Sequence, residues 1–214
     1  MTNTDRITLY YSPQTRATGT RVLLEELGVP YDLHVLNMKA GEQRQPAYLA
    51  INPLGKVPTI RHGEAVVTEQ VAIFIYLADL FPQAGLTPAL DDPRRGPYLR
   101  WIAYYGSSFE PAVMDRFMKR EPAPAMQSPY SDYDSMIGVL ESQLSKGPYL
   151  LGEHMTAADI LYGVALGWTM MFGIVPQKDV FVRYAESIAS RPAFQRITAA
   201  DVEMAAQHAA ACGG

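Results

Sequence analysis

Two short segments hold residues whose types and spacing could do chemistry. The first is Asn52-Pro53-Leu54-Gly55-Lys56-Val57-Pro58-Thr59-Ile60. Proline has no N–H for a strand ladder, so Pro58 belongs at a strand edge or in a special turn. A cis Val57–Pro58 bond would expose the Val57 N–H and C=O to a ligand running antiparallel to the chain, and cis peptides are essentially a proline phenomenon. A plain trans-proline loop is the competing reading. The second segment is Thr68-Glu69-Gln70, at the head of the apolar run EQVAIFIYLADLF. Thr68 suits a helix cap and Glu69 the first turn after it. Free N–H groups at such an end can hold a carboxylate, and Glu69 can pair with an ammonium. A γ-glutamyl residue carries both groups at its end. Ordinary helix capping accounts for the same residues with no ligand.

The elements that must position these segments can be read around them. Ile7 to Tyr11 is β-branched and aromatic and stops at Ser12-Pro13, as a strand does. Thr20 to Leu27 repeats leucine at helical spacing and ends at Gly28. Tyr31 to Asn37 alternates as a strand, Pro46 to Ile51 is a short helical piece, and Lys56 to Ile60 is a third strand. Arg61 to Glu64 turns the chain into Ala65-Val66-Val67, giving a hairpin. Glu69 to Phe81 is a helix. The order is β-α-β-α-β-β-α. A proline- and glycine-rich stretch, Pro82 to Pro97, follows and contains the domain boundary. Beyond it only helical patterns occur: Pro97 to Lys119, Ser131 to Leu144, Ala157 to Phe172, Val180 to Ser190, and Ala193 to Ala211. The expected domains are residues 1–82, a linker 83–96, and an all-helical domain 97–214.

Composition narrows the classes of function. The chain has 214 residues, 48% hydrophobic and 19% charged, with a net charge of −4. That is ordinary globular composition, with no basic surplus for nucleic acid or an anionic membrane. No apolar run approaches the roughly 20 residues of a membrane span. The opening MTNTDRITLY lacks the basic and apolar segments of a signal peptide, so a cytoplasmic location is expected. The single cysteine, Cys212, can form no internal disulfide. His34, His62, His154 and His208 lack ligand spacing, so no metal site is expected.

The succession of strand, NPLGKVP, hairpin and TEQ-x-AI-x-x-YLAD resembles the glutathione-binding domain of the glutathione transferase superfamily, most of all its bacterial branch, including the beta class. A second segment, Gly147-Pro148-Tyr149-Leu150-Leu151-Gly152-Glu153-His154-Met155-Thr156-Ala157-Ala158-Asp159-Ile160, is similar to that family's helical signature. Thr156 and Asp159 form an Asp variant of the capping box, with Met155 and Ile160 spaced as its hydrophobic staple. The resemblance covers about residues 7 to 200. It implies a thioredoxin-like α/β N-terminal domain, an all-α C-terminal domain, and glutathione as co-substrate. By it, the Val57 backbone, presented by Pro58, pairs with the cysteinyl unit of glutathione. Glu69 and Gln70 hold the γ-glutamyl end. Lys39 is a candidate for the glycine carboxylate, or else a solvated loop lysine.

A glutathione transferase must favour the thiolate. A cysteine thiol titrates near about 8.5, and lowering that by about two units takes roughly 2.7 kcal/mol. One or two hydrogen-bond donors beside a helix N-terminus can supply it. The donors should lie within Tyr10 to Thr20, between the first strand and first helix. Where the beta class has a cysteine this chain has Arg16, which excludes glutaredoxin-type cysteine chemistry there. The tyrosine classes point to Tyr10. The serine and threonine classes point to Thr15, with Arg16 alongside, and Ser12 comes slightly early. Each has a structural reading as well: Tyr10 as core packing, Ser12 and Thr15 as turn or cap residues, Arg16 as a surface charge or dimer contact. A backbone amide is a further possibility.

For the electrophile, the resemblance points to the first long helix, rich in Trp101, Tyr104, Tyr105, Phe109 and Met114, with Trp168, Met170, Met171 and Phe172 on a later helix. Core packing explains most of these. Ser107, Ser108 and Glu110 interrupt the apolar pattern, so Tyr104, Ser107, Ser108 and Trp168 form the expected pocket. Glu110 stands where the beta class has a histidine, a departure that bears on substrate preference. The expected activity is conjugation of glutathione to an apolar electrophile by a homodimer. A glutathione-dependent isomerase or dehalogenase is an alternative, although the loop lacks the Ser-Ser-Cys of a maleylacetoacetate isomerase. A non-catalytic glutathione-binding or interaction protein on the same fold is the alternative of another class.

Overall fold

The computed structural model describes residues 6–212. Met1 to Asp5, on which the signal-peptide reading rests, lie outside the described residues. The chain runs β1 (Ile7–Tyr11), α1 (Ala17–Leu27), β2 (Tyr31–Val35), α2 (Pro46–Leu49), β3 (Thr59–His62), β4 (Ala65–Val67) and α3 (Gln70–Leu80). Then come α4 (Arg95–Tyr104), α5 (Glu110–Phe117), α6 (Tyr133–Leu144), α7 (Ala157–Met171), α8 (Asp179–Ala189) and α9 (Pro192–Cys212). This is the expected fold class: a mixed α/β thioredoxin-like unit and a helical one.

The sheet order is β2-β1-β3-β4. β1 pairs parallel with β2, Ile7 opposite Tyr31, and antiparallel with β3, Leu9 opposite Ile60. Alternation sends successive β1 side chains to opposite faces. Leu9 and Tyr11 are fully buried, and Tyr11 meets Thr18 on α1 and Asp201 on α9. Tyr10 points the other way, onto Tyr48 of α2. α1 stops at Gly28, whose left-handed φ of 68° lets its N–H bond the Glu25 carbonyl.

Several boundaries differ from the sequence reading, each for a local reason. β3 starts at Thr59 rather than Lys56, because Pro58 has no N–H to give the ladder. α1 begins at Ala17, three residues early, since Thr15 already accepts from the Ala17 N–H and opens the turn. The long helix expected over Pro97 to Lys119 is broken into α4 and α5 by a π-helical turn, Tyr105–Phe109. The buried stripe of Trp101, Tyr105, Phe109 and Ala112 continues through this turn, with Ser108 on it and Ser107 exposed beside it.

The described residues divide into two compact units: one running through Leu77 and including α9, the other Ala78–Arg191. The expected boundary at residues 83–96 and the grouping of α9 with the helical domain thus differ from the contact pattern. α9 goes with the first unit because its face Ala193, Ile197 and Asp201, at i, i+4 and i+8, is buried and packs beside α1. In the helical unit Trp101, Tyr105, Phe109 and Tyr162 form an aromatic cluster, and the Tyr162 hydroxyl donates to the Trp101 carbonyl at 3.0 Å. The capping box at the head of α7 is formed: Asp159 accepts from the Thr156 N–H at 2.7 Å. It also accepts from the Leu150 N–H and the Tyr184 hydroxyl. Burial pushes the Asp159 carboxyl upward, against these donors, which pull it back.

Candidate functional site

The end of β1 and the loop leading to α1 carry the proposed thiol activators. Thr15 is half-buried, and its hydroxyl donates to the Ser12 carbonyl at 2.7 Å and accepts from the Ala17 N–H at 3.2 Å. It therefore closes the turn one residue ahead of Arg16, the N-cap position of α1. Arg16 is exposed and immediately precedes α1. Ser12 is buried. Tyr10 is 7% exposed, its ring packed against His34 and Tyr48 with centroids at 5.0 and 5.6 Å.

The Val57–Pro58 peptide is cis. Val57 is buried, and neither its N–H nor its C=O meets a hydrogen-bond partner among the described residues. The residues around it are tightly tied. The Tyr48 hydroxyl donates to the Lys56 carbonyl at 2.6 Å, and Asn52 Nδ2 donates to the same carbonyl at 2.9 Å and to Thr59 Oγ1 at 3.1 Å. Burial raises the Tyr48 phenol, so it stays a donor. Gly55 has a φ of 59°, and a Cβ there would stand 2.6 Å from the Gln43 carbonyl oxygen. The glycine of the motif is thus required twice, by conformation and by space.

The head of α3 departs from expectation. Glu69 does not sit in the first helical turn. It has a φ of 64°, and its carbonyl accepts from the Ile73 N–H at 3.0 Å, which makes Glu69 itself the capping residue and places Thr68 outside the helix. A non-glycine residue there is uncommon and strained, and such residues concentrate at functional sites. The Glu69 side chain is exposed. Gln70 Nε2 donates to the Arg16 carbonyl at 2.9 Å, tying the head of α3 to the head of α1. Lys39 is exposed on a turn organised by Asn37, whose Oδ1 accepts from the Lys39 and Ala40 N–H groups.

In the helical unit, Tyr104 donates its hydroxyl to the Met136 carbonyl at 3.1 Å, with the Arg100 guanidinium over its ring. Ser107 is exposed and Ser108 buried on the π-helical turn, their hydroxyls 3.4 Å apart. Trp168 is part-exposed and packs on Phe172 at 5.0 Å. Tyr98, Trp101, Ile102 and Tyr105 are buried, whereas Leu90, ahead of α4, is largely exposed. Among the described residues no three histidine, cysteine or acidic side chains converge as a metal site requires. No helix of the described residues is long and apolar enough to cross a membrane.

Sequence reasoning missed Asp201. Its carboxylate accepts from the Tyr11 hydroxyl, from Thr18 Oγ1 at 2.7 Å and from the Gln14 N–H at 3.0 Å. Burial, then the bond to Asp201, raises the Tyr11 phenol, which keeps it protonated and donating. The signal was present: Asp201 falls on the same helix stripe as Ala193 and Ile197, where an apolar residue is expected.

Comparisons with known proteins bear on the family and the fold. Residues 6–79 match the family described as glutathione S-transferase, N-terminal domain. Glutathione S-transferase F10 of Arabidopsis thaliana is 29% identical over 168 residues, which are 73% of this chain and 77% of that protein. A glutathione transferase of Methylococcus capsulatus superposes with a TM-score of 0.78 at 27% identity, covering 92% of this chain and 99% of the other. A sphingomonad glutathione S-transferase solved with glutathione gives a TM-score of 0.75 at 28% identity, over 91% and 98%.

Proposed function

We propose that this chain, whose residues 6–79 match the glutathione S-transferase N-terminal domain and whose fold superposes on glutathione transferases, is itself such a transferase and conjugates the glutathione thiolate to an apolar electrophilic small molecule. The observation that carries the reading is the bond from Gln70 to the Arg16 carbonyl. It makes one continuous surface of the two segments that a single glutathione must touch at both its γ-glutamyl end and its sulfur.

In this reading the free Val57 backbone groups pair with the cysteinyl unit, and Pro58 fixes their direction. Glu69 takes the ammonium and Gln70 the carboxylate end of the γ-glutamyl residue, while Lys39 takes the glycine carboxylate. The sulfur then lies by the β1–α1 loop. There the Thr15 hydroxyl turns from the Ser12 carbonyl onto the thiolate, with Arg16 and the first amides of α1 adding positive potential. The packing of Tyr10 between His34 and Tyr48 favours a structural role for it. Tyr104, Ser107, Ser108 and Trp168 receive the electrophile. The enzyme works in the cytoplasm as a homodimer, with exposed Leu90 and the open groove lined by Arg94, Arg100, Trp101 and Lys146 as the face a second copy covers.

Calorimetry with glutathione, followed by an aryl halide conjugation assay, tests the reading. Binding with turnover is expected. Binding without turnover would favour a non-catalytic glutathione-binding protein, and absence of binding would end the proposal. Sedimentation at micromolar concentration should give a dimer.

A further inference from the structure

Asp201 is 2% exposed and sits on α9, 187 residues away in sequence from the turn it grips. Taking a carboxylate out of water is expensive unless donors surround it. Here the donors all come from one short stretch. Tyr11 closes β1, Gln14 stands in the middle of the turn, and Thr18 lies in the first turn of α1. The two flanks and the centre of the Ser12–Arg16 turn are thus fixed to one side chain. Gln14 has a φ of 56°, a left-handed conformation that a non-glycine residue keeps only where its surroundings impose it. The bond from its N–H to Asp201 Oδ2 is what imposes it. Arg21 Nη1, 3.9 Å from the same carboxylate, balances the charge.

An apolar side chain at 201 would fill the α9 stripe at lower cost and hold the helix against α1 as well. A carboxylate does something an apolar group cannot: it sets the path of the turn. We propose that Asp201 is a positioning residue for thiol activation, holding the β1–α1 turn from behind so that the Thr15 hydroxyl and the first α1 amides face the glutathione sulfur. This rests on the transferase reading above. Asp201 touches no substrate and acts through Gln14 and Thr18.

The test compares Asp201→Ala and Asp201→Asn with the wild type. Three readouts are taken: thiolate absorbance of the glutathione-saturated complex against pH, kcat and KM with an aryl halide, and amide hydrogen exchange of Gln14. Asp201→Ala should raise the bound-thiol pKa by about one unit. It should lower kcat by about tenfold or more, with KM for glutathione nearly unchanged and Gln14 exchange accelerated. Asp201→Asn keeps an acceptor oxygen for Gln14 and Thr18 and should restore kcat and the thiol pKa. A folded Asp201→Ala with wild-type thiol pKa and kcat would overturn the proposal, as would an asparagine variant as impaired as the alanine one. If the alanine variant does not fold, Gln14 exchange in the wild type decides: strong protection supports the anchor, and exchange at the rate of an exposed loop amide refutes it. A wild type with no thiolate band would sink the transferase reading itself. A wild-type band untouched by Asp201→Ala would sink only the role given to Asp201.

Discussion

The Thr15 hydroxyl and the Ser12 carbonyl lie 2.7 Å apart in a hydrogen bond that closes the turn ahead of α1. The hydroxyl proposed to meet the glutathione sulfur therefore has an internal partner when no ligand competes for it. A thiolate is the stronger acceptor, because bonds to charged groups exceed neutral ones.

Thr15→Val should raise the pKa of bound glutathione by about one unit, corresponding to about 1.4 kcal/mol, while affinity changes little. It should also lower stability by about 1 kcal/mol, since the Ala17 N–H loses its acceptor. Tyr10→Phe should leave the thiolate band in place. A band that moves only in the tyrosine variant would transfer the role to Tyr10, and a band that moves in neither would leave it to Arg16 and the loop amides.

Glu69 separates binding from folding in opposite directions. Glu69→Ala should weaken glutathione binding by about 1.5–3 kcal/mol, the worth of a charge-assisted bond. Glu69→Gly should weaken it equally, yet leave stability unchanged or raise it by up to about 1 kcal/mol, because glycine accepts the φ of 64° without strain. Urea titration and calorimetry on the two variants check this. Equal affinities in both variants and the wild type would reduce Glu69 to a capping residue.

Gly55→Ala should damage the site without touching any proposed ligand contact. Its Cβ meets the Gln43 carbonyl at 2.6 Å and imposes an unfavourable φ of 59°, a combined strain of about 1–3 kcal/mol. The segment leading to Val57 must shift, and glutathione affinity should fall by about tenfold, or about 1.4 kcal/mol. Wild-type affinity in this variant would show that the placement of Val57 is not critical.

Gly163 controls the helical unit. A Cβ there would stand 2.4 Å from Ile188 Cγ1, so α7 and α8 touch at this point. Gly163→Ala should cost about 1–3 kcal/mol by overpacking, and Ile188→Ala should cost about 2–5 kcal/mol by leaving a cavity. The double variant should be more stable than the sum of the two predicts, because each change makes room for the other. Additive losses in urea titrations would mean that the helices separate rather than clash.

The sequence by itself determined the fold class and singled out the segments proposed to face glutathione. Strand alternation, leucine spacing and the Gly28 stop are local signals, and NPLGKVP with TEQ is a contiguous pattern, so no distant residue is needed to read them. The capping box of Thr156 and Asp159 was legible for the same reason, spanning only four residues. Where a long-range or conformational term competes with local preference, sequence patterns were overridden. The π-helical turn at Tyr105–Phe109 hides inside an otherwise continuous helical pattern. Glu69 takes a left-handed φ that its own side chain disfavours and no neighbour in sequence announces. Asp201 and Tyr11 are 190 residues apart, and only packing α9 beside α1 brings them into hydrogen-bond distance. A buried charge is tolerated solely where the folded chain delivers donors to it, so tertiary structure alone decided that α9 grips the turn proposed to activate the thiol.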